Sequence, residues 1–229
     1  MSEPQLFLAA QPRSAVEMRD LLRSDSELSR LLDEGQRLRP DGFDLCFRGA
    51  SRIVNGKVRR KVSPGHKLLQ ISMDGNIMFL AAGDGWFLCW PGSSGRLRIN
   101  PFVLAEVTYN FVLFSQRAMR LARPVPHRLR FFLHLQNMQN EAGLATLTPT
   151  RVDPGWVSLE EPSTAPEPDY ARNVDASLDD PPGRIAFDLV EGVYAWFGIG
   201  SERIPYARLS TDGGIIDETT IFGKKGSSD

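Results

Sequence analysis

The chain has 229 residues, carries a formal net charge of −1, and is 41% hydrophobic and 24% charged. These values are those of an ordinary globular protein, so they exclude a disordered chain, and the net charge gives no general attraction for nucleic acid or membranes. The sequence opens without a basic and apolar leader, and its longest apolar run, 101–114, is interrupted by polar residues. This predicts a cytoplasmic protein without a membrane partner.

The first predicted element is an amphipathic helix over residues 14–38. Ser14 and Glu17 have the spacing of a capping box, and leucines recur after them at an approximately helical interval. Residues 24–26 (SDS) offer a second start that would divide the helix in two. The segment 39–42 (RPDG) ends it as a turn.

Residues 43–90 predict an antiparallel β-meander of four or five strands. Asn55-Gly56 is a two-residue hairpin signal between two β-prone segments, and Asp74-Gly75 is a second one. The glycine-rich segment 83–85 marks a third turn, which leads into an aromatic strand ending near residue 90.

Residues 100–122 predict a central buried helix that packs against this meander. Asn100 is a suitable N-cap, Pro101 suits the first helical position, and most of the residues that follow are apolar. After it, 129–135 and 144–147 are predicted as a strand pair, and 156–159 as another strand. The fold class is therefore α+β.

The C-terminal part changes in composition. Residues 160–183 are rich in proline and acidic residues, which indicates a linker or long loop between a main domain, 1–159, and a C-terminal helix and tail, 184–229. Gly198 is the expected C-cap of that helix. We expect 184–229 to pack either on the main domain or on another chain.

Charge is distributed unevenly along the chain. Residues 41–140 contain 14 lysines and arginines against 5 acidic residues, whereas 141–229 contain 7 against 16. Basic residues on a projecting hairpin can neutralise backbone phosphates without reading sequence. The alternative is that they keep an edge hairpin soluble and prevent edge-to-edge pairing. The candidate nucleic-acid-binding residues are Arg52, Lys57, Arg59, Arg60, Lys61 and Lys67, and strand alternation puts Arg59 and Lys61 on one face with Arg60 opposite.

Polar residues form a stripe along the central helix, within about 80° of one another at 100° per residue. A carboxylate, an amide and two guanidinium groups in this arrangement could line an anion-binding pocket, or they could be the solvent face of an amphipathic helix. The stripe consists of Glu106, Asn110, Arg117 and Arg120.

The C-terminal helix carries three aromatic residues near its end: Tyr194, Trp196 and Phe197. Aromatic residues are enriched at protein interfaces, so they could dock on a protein partner. They could equally close the core of their own domain.

No cofactor or metal site is predicted. The three histidines lack ligands at metal-binding spacing, and the nucleotide-binding and serine-hydrolase motifs are missing from the sequence. Cys46 and Cys89 lie in apolar runs and are expected to be buried thiols, with a disulfide possible if their strands are neighbours.

Three functions remain open. The leading hypothesis is a non-enzymatic adaptor in a bacterial intracellular assembly, with a protein partner and a basic hairpin that contacts nucleic acid. The second is a stand-alone, sequence-independent nucleic-acid-binding protein. The third is an enzyme or small-anion binder centred on the 100–122 helix.

Overall fold

The fold is built on a seven-stranded antiparallel sheet with its helices on one face. The computed structural model describes residues 3–34, 37–39, 41–45, 51–63, 67–82, 87–91, 95–153, 156–159 and 161–217. Over these residues it is a mixed α+β fold, as the sequence predicts.

The strands and helices follow one another in this order. The strands are β1 (Gln5–Pro12), β2 (Arg52–Val54), β3 (Val58–Ser63), β4 (Lys67–Ser72), β5 (Ile77–Ala82), β6 (Cys89–Pro91), β7 (Leu97–Ile99), β8 (Arg128–Gln136), β9 (Gln139–Asn140), β10 (Gly143–Leu144), β11 (Thr146–Leu147), β12 (Thr150–Asp153), β13 (Trp156–Leu159), β14 (Ser163–Thr164), β15 (Tyr170–Ser177), β16 (Ala207–Ser210) and β17 (Gly213–Ile216). The α-helices are α1 (Glu27–Asp33), α2 (Pro101–Arg120) and α3 (Pro182–Trp196), and short 3-10 helices lie at Arg19–Leu22 and Ser201–Arg203.

The main sheet has the strand order β15-β8-β1-β5-β4-β3-β2. Leu8 on β1 lies opposite Leu133 on β8 and Phe79 on β5, and all three side chains are buried. Every second residue of the central strands shares this face, because side chains alternate along a strand. Helix α2 packs against β1, and α3 packs against α2 and β15, so both helices cover the same face.

Four smaller sheets accompany the main sheet within the described residues. A four-stranded sheet has the order β14-β11-β7-β6, in which β7 and β11 are parallel. The pairs β9–β10, β12–β13 and β16–β17 are antiparallel two-stranded ribbons, and β17 also contacts α3.

Local turn and cap signals correspond to the observed structure. Asn55 and Gly56 have φ angles of 53° and 63°, as a type I′ hairpin turn requires, and β2 to β5 form a four-stranded meander. The Asn100 side chain accepts hydrogen bonds from the Phe102 and Val103 backbone N–H groups at 3.1 and 3.3 Å, which caps α2. The third predicted turn lies outside the described residues, and the strand predicted after it is β6, which belongs to the four-stranded sheet.

The N-terminal helix predicted over 14–38 is much shorter in the structure, and the first part of the segment is not α-helical. The Met18 N–H donates to the Met73 carbonyl at 2.8 Å, and Glu17 pairs with Arg123, so this backbone is bound to distant loops instead of to its own next turn. Among the described residues of this segment, α1 is the α-helical part, and its cap is Ser26, whose side chain accepts from the Ser29 N–H. The preceding apolar residues form β1, a central strand that the sequence analysis does not predict.

The predicted strand pair and linker also need correction. β8 pairs with β1 and β15, whereas 144–147 belongs to β10 and β11. The segment 160–183 contains β14, which belongs to the four-stranded sheet, and β15, which is an edge strand of the main sheet. Composition did not indicate β15, because alternate residues of this strand, such as Asn173 and Asp175, are exposed and polar. They make the segment polar on average.

The C-terminal helix packs on the chain's own main sheet and on α2. Gly198 has a φ of 70°, and the Ile199 N–H donates to the Tyr194 carbonyl at 2.9 Å, which is the Schellman ending expected from the sequence. Residues 184–217 therefore complete the same core as β1 and α2.

Candidate functional site

The basic hairpin divides its charges between the two faces of the sheet. Arg59 and Lys61 lie on the helix-covered face and are only 4% and 1% exposed. Arg59 Nη1 donates to the Arg23 carbonyl at 3.0 Å, and Lys61 Nζ donates to the Leu32 carbonyl at 2.9 Å. These two side chains hold the 3-10 helix and α1 against β3, so they are not available to an external phosphate.

Lys67 also lies on the helix-covered face. Its ammonium group is 3.4 Å from Oδ1 of Asp44, donates to the Asp44 carbonyl at 3.2 Å, and sits 3.9 Å from the centroid of the Phe87 ring. Lys57 is exposed in the hairpin turn. Of the predicted basic residues, Lys57, Arg52 and Arg60 are therefore the ones an external ligand could reach.

Arg52 and Arg60 lie on the other face of the sheet, which we call the open face. Arg52 is opposite Arg60, and Arg60 is opposite Gln70. Both Nε and Nη2 of Arg60 donate to Oε1 of Gln70, at 3.1 and 2.8 Å. The Arg60 guanidinium is thus held in one orientation on this face.

The open face has an apolar centre. Within the described ranges no helix lies on it, since the helices contact the opposite side. The strand register aligns one apolar row across β3, β4, β5 and β1 and places further apolar residues beside it. The row is Val62, Leu68, Leu80 and Phe7, and its neighbours are Met78, Ala9 and Phe132.

Two phenylalanines lie near the middle of this centre. Phe7 on β1 is opposite His134, and Phe132 on β8 is opposite Ala9, so the two rings are diagonal neighbours on adjacent strands. Such a diagonal separates Cα atoms by about 7–8 Å. Both phenylalanines are partly exposed, and neither packs against the buried core.

Arginines lie at two opposite sides of the open face. Arg52 and Arg60 are near the β2 edge, and Arg128 and Arg130 are on β8, next to the β15 edge. Arg60 and Arg130 are four strand spacings apart, which corresponds to about 19 Å across the sheet. The centre between them is apolar and aromatic.

One carboxylate lies among these arginines. Asp175 accepts two hydrogen bonds from Arg130, at 3.1 and 2.7 Å, and is 3.3 Å from Nε of Arg13. The hydrogen bond from Arg130 is the main reason why the pKa of Asp175 lies below its ordinary value. The strand residues of this face therefore combine four arginines, Arg52, Arg60, Arg128 and Arg130, with this single aspartate, and the face is basic.

The polar stripe on α2 separates into two sites. Glu106 is fully buried, and its carboxylate accepts from Arg39 Nε at 2.7 Å, from the Phe43 N–H at 2.7 Å and from the Tyr206 hydroxyl at 2.8 Å. Asn110 donates to the Phe43 carbonyl at 2.7 Å. The carboxylate thus binds three protein donors, two from the loop that holds Arg39 and Phe43 and one from Tyr206, which is the geometry of a structural contact.

Arg117 and Arg120 lie apart from Glu106, in a groove of about 480 Å³ between α1 and α2. Arg120 donates to the Leu178 carbonyl at 3.2 Å and lies 3.4 Å from Asp179. The other lining residues are Glu27, Arg30, Leu31, Glu34 and Leu121. Two glutamates offset much of the arginine charge in this groove.

The predicted docking aromatics pack mainly within the chain. Tyr194 is fully buried, Phe197 is 5% exposed, and the partly exposed Trp196 ring lies 5.2 Å from that of Tyr170. Burial raises the pKa of the Tyr194 hydroxyl far above its ordinary value. Only Trp196 of the three offers surface to a partner.

Among the residues that the structure describes, no group of three or more His, Cys, Asp or Glu side chains could hold a metal ion, and no helix has the length and apolar character to span a membrane. Burial raises the pKa of the Cys89 thiol to about 12, which makes it a poor nucleophile. Cys46 lies outside the described residues, so its distance from Cys89 is not defined.

Comparisons of this chain with protein-family models, with curated proteins and with solved structures gave no match. The open face is therefore the feature of the chain that bears on its function. Sequence reasoning missed this face because Phe7 lies in a strand that was not predicted. Phe132 was detectable, since it occupies the same alternate positions of β8 as Arg130, His134 and Gln136.

Proposed function

We propose that this chain is a cytoplasmic, non-enzymatic nucleic-acid-binding protein whose contact surface is the open face of the main sheet. The observation that carries the proposal is the placement of Arg52, Arg60, Arg128 and Arg130 on a face where Asp175 is the single carboxylate among the strand residues. Arginine on such a surface binds phosphate oxygens and releases counterions. Contacts with phosphates do not depend on base sequence, so binding through these arginines is sequence-independent.

The other hypotheses have weaker support. An adaptor docking through residues 194–197 would need an exposed aromatic patch there, and these side chains pack mainly within the chain. An enzyme centred on Glu106 would need an accessible carboxylate, whereas Glu106 is fully buried among Arg39, Phe43 and Tyr206.

A protein partner on the open face is a second candidate. The apolar row extends beyond the two aromatic rings, as far as Val62, whose side chain is 56% exposed. Protein interfaces commonly combine such an apolar centre with a polar rim. An acidic partner surface would complement the arginines. A second copy of this chain would bring arginines against arginines, which is unfavourable.

Fluorescence anisotropy with labelled oligonucleotides tests the proposal. For three or four phosphate contacts with a single-stranded oligonucleotide we expect affinity to fall about 20- to 50-fold between about 50 and 200 mM salt. The double variant Arg52→Ala/Arg60→Ala should weaken binding at least tenfold and reduce the salt dependence.

The matched control is Arg19→Ala/Arg23→Ala, which removes the same charge from exposed side chains outside the open face. We expect it to bind as the unmodified protein does. No binding at low salt, or an equal loss in both double variants, would refute the open face as a nucleic-acid surface.

A further inference from the structure

We infer that the ligand of the open face is a single-stranded nucleic acid whose bases stack on Phe7 and Phe132; this inference rests on the proposed function. Arginine placement alone would serve duplex and single strand alike. The aromatic centre is what distinguishes them, because only unpaired bases offer their faces to a ring.

The position of the two rings supports this inference. β1 and β8 are adjacent strands inside the sheet, with β5 on one side and β15 on the other. Phe7 and Phe132 therefore lie on inner strands of the sheet, and their diagonal offset separates their Cα atoms by about 7–8 Å. That spacing lets two successive bases each contact one ring.

The polar surroundings of the rings fit the same ligand. Arg130 is two residues from Phe132 on the same face, and its guanidinium is fixed by two hydrogen bonds to Asp175. His134 is opposite Phe7, and Gln136 Nε2 lies 3.2 Å from its Nδ1. Charged and polar groups beside the rings can contact the phosphates and base edges of a strand that crosses the sheet toward Arg60.

A duplex would use this surface poorly. Its bases are paired and stacked inside the helix, so the apolar centre would face the charged backbone and lose water without gaining stacking. The face has no projecting element among the described residues that could enter a groove. Preference for a single strand is therefore the direct consequence of placing apolar rings between the two arginine groups.

Substitution of the rings at constant apolar character tests the inference. Phe7→Leu/Phe132→Leu keeps the surface apolar but removes both aromatic rings. We therefore expect affinity for an end-labelled oligothymidine of about 12 nucleotides to fall about 10- to 100-fold. Affinity for the corresponding duplex and the salt dependence should stay unchanged, because no charge is lost. The variant Phe7→Tyr/Phe132→Tyr retains both rings and should keep the affinity.

Four outcomes are decisive. Single-strand preference that the leucine variant abolishes and the tyrosine variant retains supports the inference. Equal affinity for the single-stranded and the duplex oligonucleotide, with no effect of the leucine variant, overturns base stacking but leaves the proposed function intact. If neither form binds, both proposals fail. If the urea midpoint shows that the leucine variant is destabilised, Phe132→Leu alone is measured, and an unchanged single-strand affinity in it overturns the inference.

Discussion

The hydroxyl of Tyr206 donates a 2.8 Å hydrogen bond to Oε1 of Glu106, across a sequence separation of 100 residues. Tyr206 adopts a φ of 67°, a left-handed conformation that is unusual for a side chain of this size. The bond joins the segment before β16 to the N-terminal third of α2. Burial, together with this hydrogen bond, raises the pKa of the Tyr206 hydroxyl well above its ordinary value, so it remains a donor at all ordinary pH values.

Tyr206→Phe should lower the free energy of unfolding by about 1.5–3 kcal/mol, because it removes a hydrogen bond to a buried carboxylate. Urea denaturation followed by circular dichroism measures this change. Tyr194→Phe is the matched control, since the Tyr194 hydroxyl is buried without a hydrogen-bond partner among the described residues. It should leave stability unchanged or raise it, and equal losses in both variants would contradict the assignment.

Lys61→Ala should destabilise the fold by about 2–4 kcal/mol, since it deletes a buried aliphatic stem and a hydrogen bond to the Leu32 carbonyl. Lys57→Ala, in the exposed turn of the same hairpin, should have little effect on stability. The same denaturation experiment compares them. A Lys61→Ala protein that is as stable as the unmodified chain would mean that Lys61 is not a packing residue.

Gly183→Ala should destabilise the packing between α3 and β17. A Cβ at this position would collide with the Ile216 carbonyl, and relieving such a contact costs about 1–3 kcal/mol. Amide hydrogen exchange should become faster in the β16–β17 ribbon. Gly198→Ala has open space around the new atom but a φ of 70°, so it should lower stability by about 1–2 kcal/mol without this local effect.

The ion pair of Asp175 should make the stability of the fold depend on pH, with stability falling in acid. Its pKa in the folded protein is below the ordinary value of about 3.9, so its ionised form stabilises the fold above that value. The stabilisation is lost as pH falls through the lowered pKa. The difference in urea midpoint between the unmodified protein and Asp175→Asn should therefore be largest above about pH 5 and close toward pH 2. Asp212→Asn, on an exposed loop, is the charge-matched comparison, and an identical profile in both variants would rule out the pairing with Arg130.

Much of the local structure could be predicted because it depends on neighbouring residues. Asn55-Gly56, Asn100-Pro101 and Gly198 each specify a turn or cap through their own backbone and side-chain chemistry. β1 could not be found in this way, since its partners are about seventy and about one hundred and thirty residues further along the chain. Its short apolar run has no local pattern that distinguishes a strand from a loop.

The candidate surface illustrates a related limit. Alternation correctly places Arg59 and Lys61 on one face of β3 and Arg60 on the other. Alternation does not say which face the helices cover. Since charged residues are rarely buried, both interpretations of the basic hairpin place its charges in solvent. The deciding contacts come from α1 and the 3-10 helix, which reach Lys61 and Arg59 through backbone carbonyls.

The central position of β1 has a consequence for biosynthesis. Its first neighbour, β5, follows some seventy residues later, and its second, β8, some fifty residues after that. Tyr206, the hydrogen-bond partner of Glu106, is synthesised later still. A ribosome adding about 5–20 residues per second would therefore complete most of the chain before β1 had both neighbours. Until then the nascent protein carries an apolar strand with unpaired edges, and such edges favour aggregation.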